Sequence, residues 1–399
     1  MKYVSIHASN HNTANTADTP VPLFAVDDNI LVEGQPATAG SKMLESFIPL
    51  HDAEAVTRLK HAGYSVSGKT NVGEFGLDLL GETSCFGPVT DEAGNLIGAA
   101  SALVDSGDVD CALNLDINGT PRRAAALSGA VFIKPTYGTV SRHGAIPCVC
   151  SAEQIGVTAK TAEKAADVLR IIAGHDDKDG TTINNTANYD FIDARGLKIY
   201  IANEYAVDAD REAIKAAEAA LLADGATITY GVFPMAEAIR SAWHIIMCAE
   251  ACSNLSRYDG VKYGYRAPEY QTIDQLYTAS RSDGLGLVIK SIILYGSDAL
   301  SKDRYRVCYD RALRVRRAAH EVMTGLLNEH DVFLLPACSK PRYSAGGLDT
   351  IFDESLYTAP ASITGFPAVA LRRVQLIAAP LRESLALSAA RVIERSVRA

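Results

Sequence analysis

The segment Leu115-Asp116-Ile117-Asn118-Gly119-Thr120-Pro121-Arg122 decides how this chain is read. It is a loop that delivers a hydroxyl to the first turn of a helix. Gly119 permits a tight backbone, Thr120 is an N-cap residue type, and Pro121 suits the first helical position. Arg123-Ala124-Ala125-Ala126-Leu127 then propagates a helix. Backbone N–H groups of Ile117, Asn118 and Gly119 at such a place can hold an anion or a developing oxyanion. Taken alone, a Thr-Pro pair before an alanine run is a helix cap. What surrounds it decides whether it is more.

Upstream, Pro22–Val26 is an apolar strand, and Asp52 is placed to cap a helix carrying Ala55, Val56, Leu59 and Ala62 that stops at Gly63. Strand Tyr64–Ser67 follows and delivers Lys69. Strand, helix and strand at this spacing predict parallel pairing in an α/β sheet. Downstream, Thr161–Ala173 is amphipathic and ends at Gly174. Leu197–Ala202, Asp210–Ala223 and Thr227–Phe233 form another β-α-β unit. Residues 235–330 read as mostly helical and are expected to cap the site. Val332–Pro336, Val369–Leu371 and Val374–Ile377 read as strands, and Leu381–Val397 as a closing helix. Residues 1–20 are polar and without periodicity, a flexible lead-in before a single domain over 21–399.

Composition bounds the function. The chain has 399 residues, 48% hydrophobic and 21% charged, with a formal net charge of −9. That balance fits a soluble globular protein and argues against direct nucleic-acid binding, which calls for a basic face. The start lacks a signal-peptide apolar core and no run approaches a membrane span, so a cytoplasmic protein with no membrane contact is expected. Eight cysteines, with no CxxC pair, read as small buried hydrophobes rather than a metal site. Gly68-Lys69-Thr70 lacks the glycine spacing of a phosphate loop, and no dinucleotide fingerprint appears, so no cofactor is expected.

Three further stretches carry a resemblance. They are Gly68-Lys69-Thr70-Asn71-Val72-Gly73-Glu74-Phe75, Gly129–Gly144, and Ala249–Arg266. Together with the organising loop they closely resemble the amidase-signature family. The third looks like the A subunit of the glutamyl-tRNA(Gln) or aspartyl-tRNA(Asn) amidotransferase. The resemblance runs from about Pro22 to about Pro380 and implies a large, mixed, mostly parallel sheet flanked by helices on both faces, with a helical cap. It implies amide hydrolysis by a serine nucleophile, a second serine and a lysine. The lysine falls on Lys69 and the nucleophile on Thr120. It also implies substrate contacts from Tyr263 and Arg316. Asp116 and Arg122 match the family motif, either as a bracing ion pair or as substrate contacts.

The chain departs from the pattern where the chemistry is made. The second serine lies 24 residues before the nucleophile, and that register falls on Leu96, with Ile97 beside it. Leucine cannot relay a proton, and a weak hydroxyl nucleophile needs an adjacent base. Ser101 stands five positions further on, out of register, and is not expected to substitute. Thr120 carries an extra methyl that stiffens it. Lys69 is then left to pair with a carboxylate such as Asp116, to bind an anionic group, or to act alone as a base. Asp27 occupies a position where the family commonly has lysine. A two-residue link, Arg372-Arg373, replaces a longer hairpin that can supply an acidic substrate contact.

Three functions compete. The first is a degenerate amidase that keeps the fold and binds an amide, an acid or a partner. The second is repurposed acyl or amide transfer. The alternative is a working amidase or amidotransferase subunit using Thr120 and Lys69. The lost serine favours the first two, since members of a catalytic unit act together. The resemblance implies a small amide or carboxylic-acid ligand. It implies as partner a B- or C-type amidotransferase subunit, or a second copy in a homodimer.

Overall fold

Residues of alternating destination build the first sheet layer. In β2 (Leu23–Asp27), Phe24 and Val26 enter one core and Ala25 another. In β4 (Cys111–Asp116), Leu113 goes with the first and Ala112 with the second. In β5 (Val131–Lys134), Ile133 and Phe132 divide in the same way. This period-two split follows from the pleat and means that both faces of the sheet are covered. On the first face lie α1 (Glu54–His61), α4 (Ala162–Ile172) and α11 (Glu383–Arg395), through Val56, Leu59, Leu169 and Leu387. On the second lie α2 (Ala99–Ser106) and α3 (Thr120–Ala126), through Ala100, Val104 and Ala125. The small residues let α2 and α3 come close: a Cβ on Gly98 would lie 2.3 Å from Ala124 Cβ.

These features come from a computed structural model that describes residues 5–8, 21–184, 187–205, 211–345 and 348–396. Among the described residues, eleven strands form one sheet in the order β1-β3-β2-β4-β6-β5-β10-β11-β9-β7-β8. The strands not yet placed are β1 (Ser5–Ala8), β3 (Ser65–Thr70), β6 (Gln154–Ala159), β7 (Lys198–Ala202), β8 (Thr227–Gly231), β9 (Val332–Pro336), β10 (Ala368–Leu371) and β11 (Val374–Ile377). β1 pairs antiparallel with β3, so the expected lead-in contributes an edge strand. The rest of residues 1–20 lie outside the described residues.

The expectation of a mostly parallel sheet is corrected. β3-β2-β4 and β9-β7-β8 are parallel wings, but every other neighbouring pair is antiparallel. The reason is local. The β-α-β units produce the wings, while the antiparallel centre pairs β5 with β6 across a long loop, β5 with the distant β10, and β10 with β11 through a tight hairpin. The tightest reversal is Arg372-Arg373, which joins the paired Leu371 and Val374.

The stretch 235–330 carries α6 (Ala236–Leu255), α7 (Ile273–Gly284), α8 (Leu287–Leu300) and α9 (Tyr309–Glu329). A further helix, α10 (Leu348–Thr364), was not expected and packs beside α6 and α9. The α1 cap is also corrected. Ala53 holds the N-cap position, while Asp52 accepts from the Glu33 N–H and pairs with Lys60. No helix among the described residues is long and apolar enough to cross a membrane.

The Arg372-Arg373 turn has positive φ at both residues, 47° and 67°. A two-residue hairpin needs this conformation, but side chains with a Cβ adopt it at a cost of about 1–2 kcal/mol each. Arg372→Asn, a residue tolerant of that region, should therefore raise the urea midpoint by an amount corresponding to about 1 kcal/mol. An unchanged or lower midpoint would show that the arginine makes contacts worth more than the relieved strain.

Candidate active site

The loop between β4 and α3 is held from three sides. Arg122 and Asp116 are both fully buried, and Arg122 Nε and Nη2 donate to the two carboxylate oxygens at 2.7 and 3.1 Å. Arg122 also donates to the Thr358 carbonyl, to Gln375 Oε1 and to Ser362 Oγ. From α10, Thr358 Oγ1 donates to the Asn118 carbonyl and Ser362 Oγ to the Ile117 carbonyl. From α6, the indole of fully buried Trp243 donates to Asn118 Oδ1 at 2.8 Å. Gly119 sits at φ 82°, and a Cβ there would lie 2.4 Å from Thr358 Cβ, so only glycine lets α10 press on the loop.

Asp116 and Arg122 brace the loop, both buried, with every oxygen and nitrogen hydrogen-bonded within the protein. Thr120 is the first helical residue and Gly119 the N-cap, so the threonine is not the cap. The Thr120 hydroxyl instead donates to the Asp78 carbonyl at 2.8 Å. Of the expected oxyanion donors, the Gly119 N–H is spent on Asp116 Oδ1 at 3.1 Å, and Ile117, Asn118 and Gly119 are absent from the cavity lining.

Lys69 lies within β3 rather than beyond its end, fully buried, and its ammonium donates to the Ile30 carbonyl. Its charged neighbours are Asp28 and Asp27, not Asp116. Burial holds its pKa down at about 8 against the pull of the two carboxylates. Asp27 accepts from Thr70 Oγ1 at 2.7 Å, Asn114 Nδ2 at 2.9 Å and the Leu115 N–H at 3.3 Å. Burial nonetheless pushes its carboxyl up to about 7. Burial also raises Asp28, whose Oδ2 accepts from the Thr38 N–H and hydroxyl. Two raised acids and a lowered lysine are thus buried together at the ends of β2 and β3.

A cavity of about 40 Å³ lies beside this cluster. Its polar wall consists of Asp27, Asn29, Asn71, Ser101, Asn114 and Thr120. Leu96 is not part of it. Leu96 packs into an apolar cluster with Leu79, Leu80 and Ala124, and its N–H donates to the Tyr343 carbonyl. Its side chain is buried in that cluster. Ser101, discounted from its register, is the serine that the α2 helix brings to the cavity with Thr120. Leu96 precedes the Gly98 N-cap while Ser101 lies in the first turn of α2, so register along the chain and position at the cavity need not agree.

The remaining expected contacts stand elsewhere. Tyr263 is half-exposed and lines a different cavity of about 490 Å³, together with Met43, Phe47, Ile146, Arg257 and Tyr258. Arg316 donates to Ser151 Oγ and to the Ser151 carbonyl, both at 2.7 Å, and Ser151 in turn is bonded to Glu250. It pins α9 and α6 to the loop after Cys150 and does not reach the Thr120 cavity. Sequence reasoning missed Asn29, Asn114, Trp243, Thr358 and Ser362. The first two sit on elements whose polar residues looked like ordinary strand and turn positions. The others come from helices far along the chain.

A family model for amidase matches residues 14–384, and the chain belongs to the amidase family. Within it, the chain is similar to the glutamyl-tRNA(Gln) amidotransferase A subunit of Lachnoclostridium phytofermentans, at 36% identity over 89% of this chain and 76% of the relative. It is similar to the corresponding protein of Natronomonas pharaonis, at 36% identity over 90% and 92%. The crystal structure of the same amidotransferase component from Thermotoga maritima superposes with a TM-score of 0.80 at 27% identity, covering 98% of this chain and 87% of the other. The amidase-signature α/β fold expected from the sequence is thereby established.

The brace makes a direct prediction. Arg122→Met leaves Asp116 buried without its partner and should cost about 3–5 kcal/mol of unfolding free energy. Chemical denaturation of the two proteins measures it, and a loss under about 1 kcal/mol would mean that the loop is held without the pair.

Proposed function

We propose that the chain is an A-type component of an amidotransferase-like assembly that handles an amide at the Thr120 cavity. The observation that carries this reading is the shared wall: a threonine hydroxyl at the nucleophile position, a second hydroxyl from Ser101 and the Asp27 carboxyl line one cavity, with Lys69 behind. Likeness over most of the chain to amidotransferase A subunits supports an active protein over a decayed one.

In this reading Thr120 Oγ1 bonds to the amide carbonyl carbon and the C–N bond breaks. The hydroxyl proton passes by way of the Asp27–Lys69 pair to the leaving nitrogen. Water then cleaves the ester, freeing the acid and restoring Thr120. The hydroxyl must first turn away from the Asp78 carbonyl, which accepts its proton in the resting site. A B- or C-type subunit, or a second copy of the chain, is the partner that this reading requires, and a small amide or carboxylic acid the ligand.

A second reading keeps the binding and drops the turnover. It is favoured by Leu96, which sits in an apolar cluster where the family pattern has a relay serine. The same experiment separates the two. Ammonia release from glutamine, asparagine and simple amides is measured for the chain, alone and with a B-type subunit, beside Thr120→Ala and Lys69→Ala. The active reading predicts turnover that falls roughly 10³-fold in both variants. It also predicts a rate rising with pH through about 8, as Lys69 gives up its proton. Release no greater than in the two variants, with and without the partner, leaves the binding scaffold.

A further inference from the structure

The half-open cavity of about 490 Å³ is a second concave site, and the reaction proposed above makes no use of it. Met43, Leu44 and Ile146 are buried and form an apolar floor, with the exposed rings of Phe47 and Tyr263 at the rim. An apolar hollow of this kind becomes a binding site when a few polar groups converge on it. Here two neighbours after α6, Arg257 and Tyr258, supply them.

Among the described residues, Arg257 is the one charged side chain on this lining. Its position is fixed, because Nε donates to the Asn254 carbonyl and Nη2 to Asn254 Oδ1, both at 2.8 Å. Its charge is not answered: it forms no ion pair with a described residue, and Nη1 keeps its donors. The acids nearest in sequence, Glu45 and Asp259, lie off the lining, and Asp259 accepts from the Val261 and Lys262 N–H groups. Tyr258 is 5% exposed and its ring is stacked on Phe75 at 5.5 Å. Its hydroxyl makes no hydrogen bond among the described residues and is not sealed from solvent. Burial pushes that hydroxyl up to about 12, so it keeps a proton to give, and Arg257 is the strongest charge acting on it. A hydroxyl so deeply placed, with no acceptor in the protein, calls for one from outside.

From the unanswered Arg257 charge, the unpartnered Tyr258 hydroxyl and the apolar floor and aromatic rim around them, we infer that this cavity binds a small carboxylic acid with an aromatic body. One carboxylate oxygen accepts from Tyr258 and the other from Arg257 Nη1, and the ring covers Met43, Leu44 and Ile146 between the rim aromatics. Each simpler occupant leaves something unmet. Water or an inorganic anion leaves the floor wet, and a neutral apolar molecule leaves the guanidinium unanswered. The site stands apart from the amide reaction, since its lining shares no residue with that of the Thr120 cavity.

Binding of benzoate, of benzyl alcohol (the ring without the charge) and of acetate (the charge without the ring) to the full chain is measured by ligand-observed NMR at constant pH and ionic strength. Arg257→Gln, Tyr258→Phe and Thr120→Ala are measured alongside. Benzoate should bind about tenfold more tightly than either of the other two. Arg257→Gln should abolish its advantage over benzyl alcohol, and Tyr258→Phe should weaken it about fivefold, the effect of one lost hydrogen bond. Thr120→Ala should change nothing. Should Tyr258→Phe not fold, Arg257→Gln, at an exposed position, carries the comparison alone. Equal affinity for the three probes, no binding of any, benzoate binding undiminished in the Arg257 and Tyr258 variants, or binding lost in Thr120→Ala would overturn the inference. Absence of amide turnover with benzoate selectivity intact would count against the proposed reaction and not against this site.

Discussion

Arg122 has five N–H donors, and the fold supplies five acceptors for them: two oxygens of Asp116, the Thr358 carbonyl, Gln375 Oε1 and Ser362 Oγ. Through that one side chain, β4, α3, α10 and β11 are fixed to each other. A buried guanidinium is tolerable only when paired and fully hydrogen-bonded, so every partner must arrive in place. The loop that presents Thr120 is rigid as a consequence. Trp243 extends the same logic to the cap, because its indole closes on Asn118 one residue before the required Gly119.

Behind this frame the site has a different electrostatic character from the one the family pattern suggests. Asp27, Asp28 and Lys69 are buried together at the ends of β2 and β3, held by Thr70, Asn114 and Thr38. Desolvation opposes all three charges, while mutual attraction and hydrogen bonds restore part of what it removes. Burial therefore raises both acids and lowers the lysine, disfavouring the charged form of each. Leu96 and Ile97 remove the hydroxyls expected at one side of Thr120. The Asp27 carboxyl and Ser101 return polar groups from another side.

How much of this was legible follows from the range of each interaction. The apolar strand Pro22–Val26, the helix stop at Gly174 and the strand Val332–Pro336 are local and were read directly. Lys69 and Thr120 were found because short motifs surround them. The sheet's antiparallel centre was not, since neighbours such as β5 and β10 are more than two hundred residues apart and nothing in either sets their direction. Arg316 was expected as a substrate contact from the family resemblance alone. Its partner, Ser151, is 165 positions away and carries no signal of its own. Ser101 was discounted by counting along the chain. What places it at the cavity is the close approach of α2 to α3 over Gly98, a contact that only the fold discloses.

The central claim is that a buried Asp27 carboxyl beside Lys69, raised to about 7, lines the Thr120 cavity. The most direct test is the unfolding free energy of the natural chain and of Asp27→Asn as a function of pH. A carboxyl raised in the fold binds its proton more tightly than in the unfolded chain. Its contribution is therefore present at low pH and is lost as pH rises from the ordinary value of 3.8 through about 7. The account predicts that the natural chain loses stability relative to Asp27→Asn across that window and that the difference levels off above it. Weaker support of Lys69 in the variant acts in the same direction. A difference that is flat across the window, or that grows in favour of the natural chain, would contradict the account and make Asp27 an ordinary ion-pair partner.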